Sequence, residues 1–215
     1  ILIPISKQAL CCDRVSLPQG RAAQALEIPG CDRPASMGET GTNGTTAPRE
    51  TYERRPEGGG EQLLAAPRAP MKLFRALAAE LGEPFAVVYV LLESHTIRPE
   101  GRYQSPRPVR RSALDQLLDA FGDFLEQDGR HGLWIMSGAE PSTLALDRRG
   151  VVTTFGPAGR WGPVLKRLGL LEGAVTPGPA RKRIPERDLD EARVLAAMEW
   201  QWNALEPSDF DPDLL

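Results

Sequence analysis

The 215-residue chain has little of what nucleotide-dependent, metal-dependent or membrane-embedded proteins carry. No stretch approaches the roughly 18 consecutive apolar residues of a spanning helix, which excludes a helical transmembrane protein. Only three cysteines are present, and Cys11, Cys12 and Cys31 match no common zinc or redox spacing. Neither of the two histidines lies near enough in sequence to complete a site with them. No metal and no cofactor is therefore expected. The sequence also lacks a GxxxxGK[ST] loop, a GxGxxG after a strand, and the HExxH, GxSxG and CxxC patterns. Those absences remove the commonest nucleotide-binding, hydrolase and redox signatures. A net charge of −3 gives no global attraction to nucleic acid or to an anionic membrane surface.

What is present is unevenly distributed. Glycine (21) and proline (20) are abundant, and residues 1–70 hold 8 of each. Tyr52 is the only aromatic residue before Met71, so this segment promises too little apolar burial to offset its ordering entropy. The chain opens on Ile1, whereas Met71 begins an amphipathic run, Met71-Lys-Leu-Phe-Arg-Ala-Leu-Ala-Ala-Glu80. Residues 1–70 accordingly read as a disordered or non-native segment, 71–205 as a single domain, and 206–215 as an acidic tail. Ile1 to Ile5 precede Cys11, but Gln8 stands where a lipobox needs Leu and the apolar run is too short for a signal. A reduced, cytoplasmic setting is expected.

Within 71–205 the apolar spacing predicts a helix from Met71 to Leu81, stopped at Gly82. The run Phe85-Ala-Val-Val-Tyr-Val-Leu-Leu92, bounded by turn residues, predicts a buried strand. Residues 94–111 read as a polar connection. Ser112-Ala-Leu-Asp115 predicts a capping box for a helix ending at Asp128-Gly129. Three short strands follow at 133–136, 142–146 and 151–155, joined closely enough to be antiparallel. A short helix at 163–168 and a last helix from Asp188-Leu-Asp-Glu191 to about Leu205 complete the chain. The order α-β-α-β-β-β-α-α predicts a two-layer α+β domain, with a mostly antiparallel four-stranded sheet and helices packed on a face.

Three groups of residues carry candidate chemistry. Glu93 and His95 follow the first predicted strand, while Asp128 and His131 precede the second. If those strands are antiparallel neighbours, the four residues share one end of the sheet and could form a hydrolase-like acid/base site. The segment from Arg98 to Arg111 interleaves Arg98, Arg102, Arg107, Arg110 and Arg111 with Tyr103. Arginine forks beside an aromatic platform suit phosphate or single-stranded nucleic acid, although the 18 basic against 21 acidic residues after Met71 argue against nucleic acid. Arg181-Lys-Arg183 is a second basic cluster. Finally, Trp200 and Trp202 lie about 200° apart on a helix. Leu195, Met198, Trp202 and Leu205 then form the packing stripe, and Trp200 faces away as an anchor for a partner or lies beneath the 169–187 loop.

The composition and the missing motifs favour a non-catalytic protein-interaction module, of the kind represented by bacterial immunity proteins and adaptors. Its carboxylates and Trp200 would receive a basic partner. The hydrolase reading through Glu93, His95, Asp128 and His131 is the alternative, and phosphate or nucleic-acid binding through the 98–111 loop is the third.

Overall fold

The computed structural model describes residues 50–57, 60–157 and 159–210, and every one of them belongs to one unit starting at residue 49. The protein is mixed α+β, built on one nine-stranded, mostly antiparallel sheet. In chain order the strands are β1 (Thr51–Glu57), β2 (Gly60–Ala65), β3 (Phe85–Leu91), β4 (Gly101–Gln104), β5 (His131–Ser137), β6 (Thr143–Leu146), β7 (Val152–Gly156), β8 (Leu171–Glu172) and β9 (Gln201–Asn203). The helices are α1 (Pro70–Glu80), α2 (Arg111–Gln127), α3 (Gly162–Arg167), α4 (Asp188–Ala196) and α5 (Pro207–Phe210). Across the sheet the order is β8-β1-β2-β7-β6-β5-β3-β4-β9.

The predicted four-stranded sheet is thus the middle of a larger one. Its four strands, β7-β6-β5-β3, are contiguous and antiparallel at every junction. The first addition comes from the segment expected to be disordered. β1 and β2 form a hairpin whose second strand pairs with β7, Leu63 opposite Thr154 and Leu64 opposite Thr153. Tyr52, Leu63, Leu64 and Ala65 are all buried. The lower boundary at Met71 therefore moves back to residue 50 at least, while the expectation for 1–49, its three cysteines included, lies outside the described residues. The second addition is β4, inside the expected polar connection, and β9, inside the expected last helix, while the two-residue β8 extends the hairpin by pairing parallel with β1.

Alternation along each strand divides the sheet into two faces. Val87, Tyr89, Leu91, Leu133, Ile135, Leu144, Leu146 and Val152 point to the face covered by α1, α2, α3 and α4, forming one continuous apolar core. α1 contributes Leu73, Phe74 and Leu77, and α2 contributes Leu114, Leu118, Phe124 and Leu125. On the other face Val88, Val90 and Leu92 pack with Trp134, Met136 and Leu205 in a smaller cluster.

Helix ends depart from the expected capping boxes. α2 begins at Arg111, after an extended Arg110 with no side-chain cap, so Ser112 lies inside the first turn. α4 begins at Asp188, and neither Asp188 nor Glu191 caps it because both are drawn into the ion cluster described below. α3 ends as its sequence suggests, with Gly169 at φ +88°, a conformation that favours glycine.

Candidate functional site

The antiparallel pairing of β3 with β5 sets Leu91 opposite His131. Glu93, His95, Asp128 and His131 are therefore carried to one end of the sheet. They do not converge on a common surface. His95 and Glu93 are exposed, with His95 Nε2 3.0 Å from Glu93 Oε1. His131 is buried on the helical face, with its ring 4.6 Å from that of Phe124 and 5.4 Å from that of Tyr89. Its Nδ1 lies 3.3 Å from the Tyr89 hydroxyl, and Nε2 meets no hydrogen-bond partner among the described residues. Burial pushes the His131 pKa down to about 4, against an opposing pull from the Asp128 carboxylate. The ring is neutral at pH 7. Tyr89 is pushed in the other direction by its own burial, to above the usual phenol range. A histidine sealed between two aromatic rings has no route to a substrate proton.

Asp128 is committed as well. Between it and His131 lies Arg130, whose side chain is fully buried. Arg130 Nε donates to Asp128 Oδ1 at 2.9 Å and Nη2 to Asp128 Oδ2 at 3.0 Å, a bidentate fork. Nη1 donates to Asp188 Oδ1 at 2.8 Å and Glu191 Oε2 at 2.7 Å, and Nη2 also donates to the Ile184 carbonyl at 2.9 Å. Asp128 further accepts the backbone N–H groups of Arg130 and Ile184. Burial works to raise the Asp128 pKa, but the Arg130 fork and these two N–H groups outweigh it and hold the carboxyl below its ordinary range. Glu191 also accepts the Ser94 and Thr96 hydroxyls, at 3.1 and 2.7 Å. The cluster therefore joins the loop after β3, the loop before β5 and the first turns of α4. Three carboxylates close around a guanidinium, and among the described residues no group of three or more His, Cys, Asp or Glu side chains is placed to hold a metal ion.

The arginine-rich segment separates into engaged and free members. Arg102, on β4, donates to both oxygens of Asp209 at 2.8 and 2.9 Å, pairs with Glu206 at 3.0 Å and lies 5.1 Å over the Trp134 ring. Tyr103 is buried, and its hydroxyl donates to the Pro99 carbonyl. Burial raises its pKa. Arg111 folds over Phe85 and donates to the carbonyls of Ala78 and Leu81, both at 2.6 Å. These three residues build the sheet edge and the α1–α2 junction. Arg98, Arg107 and Arg110 differ: all three are exposed, and none of their guanidinium groups meets a hydrogen-bonding or ion-pair partner among the described residues.

Arg107 and Arg110 stand on the rim of a groove of about 600 Å³. Pro106 and Pro108 keep the preceding residues, Ser105 and Arg107, extended. The segment is pinned to β3 by Ser105 N–H to the Val87 carbonyl at 2.8 Å and by reciprocal Phe85–Val109 backbone bonds of 2.8 and 2.7 Å. α2 forms the second wall and residues 197–199 the third. Val109, Leu117, Phe121 and Met198 give the groove an apolar floor, while Ser105, Ser112, Gln116 and Glu199 join the two arginines as its polar lining.

The two tryptophans exchange the positions expected of them. α4 stops at Ala196, so Trp200 lies just before β9 and Trp202 at its centre, rather than on a helix. Trp200 is half-buried against the core, 6.4 Å from the Tyr89 ring, and its Nε1 donates to the Val194 carbonyl. Trp202 is the exposed one, lying over Gly101 where any Cβ would collide with the indole. Its Nε1 donates to the Glu100 carbonyl at 3.1 Å. In the second basic cluster Arg183 pairs with Asp188 at 2.6 Å, and the Arg181 guanidinium packs on Gly150.

The fold is mixed α+β, and its groove is open, largely apolar and lined by two arginines. No protein-family model matches the chain, and neither a curated protein nor a solved structure matches it.

Proposed function

We propose that the protein is a non-catalytic protein-interaction module, of the immunity-protein or adaptor type, that receives its partner in the groove between the 105–110 segment, α2 and residues 197–199. The observation that carries this reading is the pairing of an apolar floor with two unpartnered arginines at its rim. A soluble surface gains nothing for the monomer from that arrangement, whereas an interface uses both parts. The burial of Asp128 in the ion cluster and of His131 in the core, away from the exposed Glu93–His95 pair, weighs against the hydrolase alternative. Phosphate or nucleic-acid binding through the 98–111 loop retains Arg98, Arg107 and Arg110, of which only the last two line the groove, since Arg102, Tyr103 and Arg111 are built into the fold. A partner anchored on Trp200 loses that anchor to the core.

The test is capture from extracts of the source organism by immobilised full-length protein, comparing wild type with Ala120→Trp. Ala120 is an exposed residue of α2 lining the groove, so a tryptophan there fills the cleft without touching the core. A protein retained by wild type and lost by the variant supports the reading. Equal retention by both, or capture by neither, would sink it.

A further inference from the structure

We infer that the occupant of the groove is an acidic amphipathic peptide segment of a partner protein, with apolar side chains in the cleft and carboxylates towards Arg107 and Arg110. This rests on the interaction-module reading above and adds the partner's chemistry. The argument starts from the arginines. Within one segment of primary structure, Arg102 and Arg111 are satisfied by carboxylates, carbonyls and aromatic faces. Arg107 and Arg110 have no such partners among the described residues, and the prolines on either side of Arg107 hold it in the extended backbone that projects it outward. Two unpartnered guanidinium forks a few residues apart are complementary to carboxylates spaced along a peptide.

The floor decides between an acidic peptide and a phosphodiester backbone. Val109, Leu117, Phe121 and Met198 give a nucleic acid no acceptors or donors, and Glu199, on the wall formed by residues 197–199, repels phosphate. The same asymmetry orients a peptide, with its carboxylates on the 107–110 side and neutral or basic residues near Glu199 and Gln116.

The protein already binds one segment of this composition to its other face. There Arg102 holds Glu206 and Asp209, while the neighbouring Leu205 packs on Val88, Val90 and Leu92. Arginine beside an apolar surface, meeting acid beside leucine, is the chemistry assigned here to the groove.

The experiment measures fluorescence anisotropy of labelled amphipathic peptides with the full-length protein. One peptide carries Asp and Glu on its polar face, one carries Asn and Gln at the same positions, and one carries Lys. A single-stranded oligonucleotide is the fourth probe. The acidic peptide should bind about tenfold tighter than its amide counterpart at low salt, and most of that advantage should vanish near ~0.5 M NaCl. Arg107→Glu with Arg110→Glu should reverse the preference towards the Lys peptide, and Ala120→Trp should block all peptides. Circular dichroism confirms that each variant is folded. If the amide or Lys peptide binds as well as the acidic one and Ala120→Trp still blocks it, the acidic occupant is wrong and the groove reading stands. Binding of no peptide, or binding indifferent to Ala120→Trp, overturns both. Preference for the oligonucleotide overturns the inference, as does self-association abolished by Ala120→Trp, which would put a second copy in the groove.

Discussion

Replacing Arg130 by methionine tests the interior of the protein most directly. The methionine fills much of the same volume but donates none of the five hydrogen bonds that Arg130 makes to Asp128, Asp188, Glu191 and the Ile184 carbonyl. Asp128 and Glu191 are then two fully buried carboxylates without a counter-charge. Breaking a buried pair by removing one partner costs about 3–5 kcal/mol. Two remaining backbone N–H groups on Asp128 and two hydroxyls on Glu191 soften the loss, so about 4 kcal/mol is the working figure. Domains have roughly 5–15 kcal/mol in total, and a urea m-value near 2 kcal/mol/M turns this loss into a midpoint lowered by about 2 M. The pH dependence has a definite sign. In wild type the Asp128 pKa is depressed, so its contribution is present above the unfolded value near 3.8 and is lost as pH falls through the lower folded value. In the variant burial acts on Asp128 without the opposing Arg130 fork, so the Asp128 carboxyl is raised and its penalty is full at neutral pH and disappears on protonation. The gap between variant and wild type should therefore narrow steadily from pH 7 to pH 4.5. Urea unfolding followed by tryptophan fluorescence measures both. A loss below ~1 kcal/mol, or a gap that does not change with pH, would refute a buried and mutually dependent cluster. Adding Asp128→Asn and Glu191→Gln to Arg130→Met should recover part of the loss, since no buried charge is then left unpaired.

Two other outcomes follow from the same interior. His131, with its pKa near 4 against an ordinary 6.5, contributes stability that is complete above pH 6.5 and is lost as pH falls towards 4. The contribution is about 3 kcal/mol at most. His131→Phe should lower stability at pH 7 by stranding the Tyr89 hydroxyl, yet flatten the profile between pH 6.5 and 4; an unchanged slope in urea midpoints would contradict the buried, neutral ring. A chain begun at Met71 lacks β1 and β2, which removes the buried Tyr52, Leu63, Leu64 and Ala65 and bares the edge of β7. At roughly 1.5–3 kcal/mol for each large side chain, that loss approaches the whole stability of a domain. The truncated protein should be insoluble or unfolded by circular dichroism, and a soluble, cooperatively melting product would show the hairpin to be dispensable.

The central strands and the first two helices were legible because their signals are local and strong. Eight consecutive apolar residues at 85–92 and the 3.6-residue rhythm of Leu114, Leu117, Leu118 and Leu125 admit few alternatives. The hairpin was not legible because its burial comes from pairing partners 90 residues away. Leu63 and Leu64 look isolated until β7 and the helical layer close on them. β4 and β9 were hidden by competing patterns. Arg102-Tyr103-Gln104 alternates with period 2 between Pro99 and Pro106, as does Trp200-Gln201-Trp202, but runs of three or four residues were outweighed by charge in one case and by a preceding helix in the other. At the candidate site, sequence could bring Asp128 and His131 to the end of the sheet that holds Glu93 and His95 only on the condition of antiparallel pairing, and it could not see that Arg130, between them, engages Asp128 while His131 lies in the core. Arg107 and Arg110 were legible as basic residues. Their separation from Arg102 and Arg111 was not, because Arg102 is engaged by Glu206 and Asp209, about a hundred residues further on, and Arg111 by Phe85 and the carbonyls of Ala78 and Leu81 at the α1–α2 junction.

The buried cluster and the open groove are not independent. Residues 197–199 form the third wall of the groove and continue directly from α4. α4 is held at its first turns by Asp188 and Glu191 on Arg130, and at its far end by Val194 and Leu195 in the core and the Trp200 indole on the Val194 carbonyl. The position of Met198 and Glu199 relative to α2 therefore depends on an ion cluster that no partner touches. Arg130→Met, studied under conditions where it remains folded, should weaken any ligand of the groove while leaving the Arg107 and Arg110 side chains intact, and the lost affinity should fall equally on acidic and neutral peptides. Loss confined to the acidic peptide would place the effect on the rim charges and break the proposed mechanical link.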